Sequence, residues 1–329
     1  MNELQEPFEL VKISENSFKS KHFLTKPHPS VRGVYGGNLA GQAVLVAIRT
    51  VPKGFVPHSL HSYFVKAGLP DRDFFWEVER LSDGKSFCNR IVKALQDGEV
   101  KYVAQISLTT KNSMKQQQSA YEEFKKKVSS GEADEDDDIL PVSKPVHFGR
   151  PYPKWLGKYS PDEIKINPRV DNRHISHKLP PEMTDLELTR KDEENTPATE
   201  RQLSYFVKWG NQNKPDLRAA DLDEFRYTGL AFISDSIFLT RIARVLRIPN
   251  LDHGQMAFYF SVSLDHIIYF HDSDFDPTEW MSFSFNAVRF SNDRALIEGE
   301  FFDSKGKHIA SVIQEGIVKL GHLSEKAKL

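Results

Sequence analysis

The sequence predicts an α+β fold in which one unit, an antiparallel sheet around a long apolar helix, is built twice in a single chain. Three observations carry that prediction. A strand, an apolar helix and four further strands follow one another from Phe18 to Thr110, and again in the same order from Arg201 to Leu320. Between the two copies, Lys111–Thr199 turns to Lys, Asp, Glu and Pro. Both helices are apolar nearly all round, and such a helix is satisfied only where a curved sheet wraps it.

The first copy opens on a short extended stretch, Phe18–Leu24. The loop Arg32-Gly33-Val34-Tyr35-Gly36-Gly37-Asn38 then starts a helix that runs to about Val51. Its Leu39, Ala40, Ala43, Val44, Leu45, Val46, Ala47 and Ile48 leave little polar face. Strand-like runs follow at Ser59–Lys66, Phe74–Leu81, Phe87–Gln96 and Lys101–Thr110. Gly68-Leu69-Pro70, Asp83-Gly84 and Asp97-Gly98 mark their turns, and turns this short make neighbouring strands antiparallel.

The middle of the chain contains the run Glu132–Asp138, too acidic and too poor in apolar residues to fold alone. The aromatic and Pro-rich piece Phe148–Trp155 is expected to pack back on a domain. The second copy begins with the alternating strand Leu203, Tyr205, Val207, Trp209. Its strands are expected at Ala257–Phe270, Trp280–Phe290, Ala295–Phe302 and Ile309–Leu320.

Tyr227–Arg247 supplies the second helix, with its apolar stretch at Leu230–Leu246. One carboxylate, Asp235, is set into it. Phe238, Leu239, Ile242 and Leu246 extend its stripe, and Ile233, Ile237 and Val245 line the other side, so the helix should be buried. A carboxylate there must be paired, hydrogen-bonded or shifted in pKa. A cap near the helix start, with Ser234 beside it, is the competing reading, and on residue types alone the two stand level. A sheet wrapped round such a helix is a hot-dog domain, and two copies would set their sheets side by side. The expected organisation is 1–111 for an N-terminal hot-dog, 112–199 for a charged linker, 200–322 for a C-terminal hot-dog and 323–329 for a tail.

Composition narrows the function. The chain of 329 residues is 39% hydrophobic, ample for two cores, and its net charge of −2 gives no electrostatic case for nucleic acid or an anionic membrane. No apolar run is long enough to insert in a membrane, and the acidic N-terminus does not read as a signal or transit peptide. The single cysteine, Cys88, excludes an internal disulfide, fits a reducing compartment and reads as a packing residue. No Gly-x-Ser-x-Gly elbow, P-loop or dinucleotide fingerprint is present. Asp265-His266 with His271-Asp272 would point to opposite strand faces, so no metal and no cofactor is expected. Ala327-Lys328-Leu329 has the small-basic-aliphatic form of a peroxisomal import tripeptide, read by a receptor. Its flank Leu323-Ser324-Glu325-Lys326 reads as a free polar tail, and the expected location is the peroxisomal matrix.

Several segments resemble the acyl-CoA thioesterase II family. In the first half they are Tyr35-Gly36-Gly37-Asn38-Leu39-Ala40-Gly41-Gln42-Ala43, His58-Ser59-Leu60-His61-Ser62-Tyr63-Phe64 and Asp83-Gly84-Lys85-Ser86-Phe87. In the second they are Ile233-Ser234-Asp235, Ser263-Leu264-Asp265-His266, Tyr269-Phe270-His271 and Gln314-Glu315-Gly316. The likeness covers both halves in the family's order and fades in Lys111–Thr199. It implies a double hot-dog and a catalytic trio of Asp235, Ser263 and Gln314, with Ser where bacterial members often carry Thr. It also implies that Gly37 or Asn38 supplies an oxyanion donor across the interface; on residues alone the two glycines serve equally well as a simple turn. His58 is a candidate substrate contact, although a hydrogen-bonded strand histidine is the commoner outcome. Gln314 shares a strand face with Ala310, Val312, Gly316 and Val318, where a buried amide needs a reason. Ser263 without the resemblance is an ordinary strand serine.

The resulting expectation is hydrolysis of fatty acyl-CoA to free acid and CoA by an activated water. A hot-dog enoyl-CoA hydratase and a non-catalytic acyl-CoA-binding scaffold are the alternatives; the presence of all three site positions argues against the scaffold. The expected partners are acyl-CoA and the import receptor, and the sheets leave room for a homo-oligomer.

Overall fold

A computed structural model of the chain describes residues 4–27, 31–132, 142–154, 156–166, 174–189, 193–211, 219–237, 239–249 and 260–329. The strands of the first half are β1 (Leu10–Ser14), β2 (Ser17–Ser20), β3 (Val56–Phe64), β4 (Phe75–Asp83), β5 (Phe87–Gln96) and β6 (Glu99–Thr109). Those of the second are β7 (Ile175–Lys178), β8 (Leu203–Trp209), β9 (Phe260–Ser263), β10 (Asp265–Phe270), β11 (Met281–Ser291), β12 (Arg294–Phe302) and β13 (His308–Lys319). All belong to one 13-stranded sheet in the order β1-β2-β4-β5-β6-β3-β10-β13-β12-β11-β8-β7, with β9 pairing β13 off that path. Every pairing is antiparallel.

Period-two alternation sets the faces. Cys88, Arg90, Val92, Ala94 and Gln96 of β5 point inward and are buried. Asp97 and Gly98 both take positive φ and turn β5 into β6, as an Asp-Gly hairpin does. Asn292 and Asp293 do the same between β11 and β12. The two halves meet at β3 and β10, where Leu60 lies opposite Ile268 and Ser62 opposite His266. The expected side-by-side sheets are therefore one continuous ladder.

Two helices, Gly36–Ile48 and the C-terminal part of Ala219–Ser234, are buried in a single apolar core that runs through both halves. Their close approach depends on glycine. A Cβ on Gly41 would lie 3.1 Å from the Thr228 carbonyl, and one on Gly37 would overlap the Phe232 carbonyl.

Three expectations are corrected. The second helix does not run through Asp235. It starts at Ala219, stops at Ser234, and is followed by a 3-10 turn at Leu239–Arg241 and one helical turn at Ile242–Val245. The Ser234 hydroxyl bonds back to the Ala231 carbonyl, and Ile237 adopts a left-handed φ of 50°, which together end the helix. Asp235 therefore lies at the helix end, not at a start. Phe238 falls outside the described residues.

Second, the linker is partly structured. It holds a helix, Met114–Ser129, capped by Ser113, which is itself tied to Asp274 at 2.7 Å. It also supplies β7, so the strands of the second half begin before residue 200. Tyr152 bonds Ser282, and Leu156 and Ile164 pack with Phe206, which docks this stretch on the second half. Residues 133–138 of the acidic run and Trp155 lie outside the described residues.

Third, the tail is not free. Gly321–Lys326 forms a 3-10 helix with Leu323 buried. The Lys328 N–H donates to Leu246 at 2.8 Å, and its carbonyl accepts from buried Arg201 at 2.7 Å. Leu329 remains 87% exposed. No helix among the described residues is long and apolar enough to cross a membrane.

Candidate active site

The break after Ser234 delivers the Asp235 side chain into a gap between the two helices and the sheet. Gln314, on the inward face of β13 and only 1% exposed, donates its Nε2–H to Asp235 Oδ1 at 2.7 Å. The same amide donates to Ser263 Oγ at 2.7 Å, at the end of β9. With its lone pair thus used, Ser263 directs its own proton at Asp235 Oδ1 over a long 3.4 Å. Gln314 Oε1 is buried with no partner among the described residues, leaving one free acceptor beside the carboxylate.

The first half closes the site from the other side. The backbone N–H of Gly37 points at the carboxylate. A Cβ on Gly36 would lie 2.7 Å from Asp235 Oδ2 and 2.8 Å from the Phe64 ring, so a side chain is excluded there. This is the start of the first helix, where unpaired N–H groups and the helix dipole favour negative charge. Burial nonetheless dominates, lifting the Asp235 carboxyl from 3.8 to about 6 against the lowering effect of Gln314, Gly37 and Ser263.

Of the site residues expected from the sequence, the structure brings Asp235, Ser263, Gln314 and Gly37 into one neighbourhood. Sequence reasoning did not foresee where Asn38 spends its donors. The Asn38 side chain donates to the Thr25 carbonyl at 3.1 Å and its N–H to Tyr35 at 3.0 Å, so it fixes the entry loop instead of facing Asp235. His58 bonds Ser107 Oγ at 2.8 Å and leans edge-on against Phe87, away from the Asp235 cluster. No group of three or more His, Cys, Asp or Glu among the described residues could hold a metal ion.

The supports of the helix end carried no sequence signal. Tyr35 Oη donates to the Phe232 carbonyl at 2.7 Å, and Tyr205 Oη to that of Ser236 at 2.9 Å. The Ser236 hydroxyl lies 2.7 Å from His177 Nε2, and the Ser234 hydroxyl 2.8 Å from His266 Nε2. A helix end leaves carbonyls without partners, and in a dry interior side chains must supply them. Chemically, the cluster brings together a carboxyl raised to about 6, which can accept a proton near neutral pH, a hydroxyl and an amide that can orient a small molecule, and a helix N-terminus opposite.

Comparison with known proteins bears on the family and the fold. Residues 24–109 match the family model of the acyl-CoA thioesterase N-terminal domain, and residues 161–318 that of the C-terminal domain. The peroxisomal acyl-coenzyme A thioester hydrolase 1 of Saccharomyces cerevisiae is 28% identical over 98% of this chain and 95% of its own. Acyl-coenzyme A thioesterase 8 of Homo sapiens is 24% identical over 96% of this chain and 89% of its own. Among solved structures, an acyl-CoA thioesterase II from Mycobacterium marinum superposes with a TM-score of 0.65 at 21% identity, covering 97% of each chain. A hot-dog protein from Alicyclobacillus acidocaldarius gives 0.62 at 14%, covering 98% of this chain and 99% of that one. With both domain models matched in order along one polypeptide and the double hot-dog fold in place, the chain belongs to the acyl-CoA thioesterase II family.

Proposed function

We propose that the chain hydrolyses fatty acyl-CoA thioesters to free fatty acid and CoA, with Asp235 as the base for a directly attacking water. Family membership carries the activity. The single observation that carries the mechanism is the partly buried Asp235 carboxylate, held by Gln314 and Ser263 against the start of the first helix. Water oxygen attacks the thioester carbonyl carbon while its proton passes to Asp235. The carbonyl becomes an oxyanion, and its collapse expels CoA as a thiolate, which the proton on Asp235 can neutralise. Ser263 and the free Gln314 Oε1 orient the water. The helix start at Gly36 and Gly37 favours negative charge on both the carboxylate and the oxyanion.

The test is release of free thiol from palmitoyl-CoA by the purified protein, followed with a thiol reagent. Turnover that disappears in Gln314→Ala and Ser263→Ala to a lesser degree than in Asp235→Asn supports these roles. Wild-type protein that binds palmitoyl-CoA without releasing thiol would refute the enzyme reading.

Peroxisomal import belongs to the same proposal. The terminal Ala327-Lys328-Leu329 and the yeast relative named as peroxisomal support it. Removing Leu329 from a tagged protein should leave it in the cytosol; retention in the peroxisomal matrix would place the address elsewhere or require a carrying partner.

A further inference from the structure

His266 takes no part in the scheme above, yet it is fully buried and tied to the residue next to the acid. The Ser234 hydroxyl already donates to the Ala231 carbonyl at 2.9 Å. Its lone pair therefore faces the imidazole, whose proton must sit on Nε2. Burial holds the ring's pKa down at about 3, so it stays neutral. Nδ1 is then a bare acceptor, buried without a partner among the described residues. An apolar side chain would occupy this place without that desolvation cost, so a histidine here calls for a reason.

The chain path supplies one. It leaves β9 at Ser263, crosses at Leu264, whose N–H donates to Glu315 at 2.9 Å, and re-enters the sheet as β10. Within four residues it sends Ser263 to Asp235 and His266 to Ser234. Two consecutive residues at the end of the second helix are thus gripped from one strand break. The His266 carbonyl accepts from Ser62 Oγ of β3 at 2.7 Å, which carries the grip into the first half, the half that supplies Gly37. The anchored groups are needed because an ionised carboxylate in a poorly solvated site is drawn towards water, and Asp235 lies just past the helix end, where the last carbonyls have no intrahelical partners.

We propose that His266 is a positioning residue for Asp235: its Nε2–H holds Ser234, and Ser234 fixes the direction in which the neighbouring carboxylate points. The proposal rests on Asp235 being the base. Its chemistry is steric and hydrogen-bonding only, with no proton transferred to or from the ring.

The experiment uses the full chain and palmitoyl-CoA. His266→Met fills a similar volume and removes the donor; kcat should fall about tenfold or more while KM stays within about twofold, as a displaced catalytic group demands. His266→Gln places an amide N–H near the position of Nε2 and should recover most of the loss. Ser234→Ala should reproduce the His266→Met defect, and the two together should cost no more than either alone. Where His266→Met does not fold, Ser234→Ala removes only one hydroxyl and carries the same kcat-against-KM test. A lower Tm with unchanged kcat per folded molecule would overturn the proposal, as would additive losses in the double variant. An active Asp235→Asn protein would overturn the role of Asp235 and this proposal together. An inactive Asp235→Asn protein beside fully active His266→Met and Ser234→Ala proteins would overturn His266 alone.

Discussion

Asp235→Asn should make the protein slower and, above neutral pH, more stable. The carboxyl titrates at about 6 in the fold against 3.8 ordinarily. Its raised value means that the fold favours the protonated form. That contribution is fully present below the unfolded value and is lost as pH rises through about 6. Once the group is ionised in both states, the difference weighs about 3 kcal/mol against folding. Asparagine is neutral throughout. Its Oδ1 can accept from both Gln314 and Ser263, as the carboxylate oxygen does, while the Gly37 N–H loses a charged acceptor at a cost of about 1 kcal/mol. A net gain of about 2 kcal/mol is expected at alkaline pH, shrinking to nothing at about pH 4. Urea unfolding of both proteins at the two pH values measures it. Thiol release from palmitoyl-CoA should drop by roughly 10²–10⁴ in the same variant. Near-normal turnover by folded Asp235→Asn would remove Asp235 as the base. Equal or lower stability at alkaline pH would refute the claim that a partly desolvated, ionised carboxylate strains the fold.

Four further outcomes follow from the same geometry. Wild-type kcat should climb with pH up to about 6 and level off above it, since only the carboxylate accepts a proton; a profile flat across that range would exclude Asp235. Gln314→Ala and Ser263→Ala should each lower the rate by less than Asp235→Asn, and kinetics of the double variant should show losses that do not add, because both serve one water. Gly37→Ala places a methyl group on the Phe232 carbonyl, a backbone atom that cannot rotate away, and should lose about 2 kcal/mol or more by thermal unfolding. Replacing Glu132–Asp138 with a neutral Gly/Ser segment should leave thiol release within a few-fold, because that run is far in sequence from every site residue.

Strands were legible because alternation and hairpin dipeptides are local signals. Phe87–Gln96 was readable to the residue, and the inward face of Gln314 followed from its small apolar neighbours. The break at Asp235 was not legible. Leu239, Ile242 and Leu246 are apolar because they are buried, and burial does not require that the helix continue. Ser263 and His266 looked like members of one strand, since the crossing at Leu264 is set by a bond to Glu315, some fifty residues away in the chain. Asn38 shows the converse limit. Its place in a family-like motif was plain, but the partner of its amide, Thr25, lies in a loop with no pattern of its own. Tyr35 reaches Phe232 across 197 residues, and no periodicity reports such a contact.

The seam at β3 and β10 has a consequence for how the site persists in solution. Its five paired positions are held by main-chain hydrogen bonds, so each half on its own would present a raw strand edge, flanked by exposed Tyr63 or Tyr269. Such edges invite pairing with the wrong copy. Joining the halves in one polypeptide gives each a permanent, high local concentration of its proper mate. Dilution therefore cannot part Gly37 from Asp235, and the complete cluster travels with every chain.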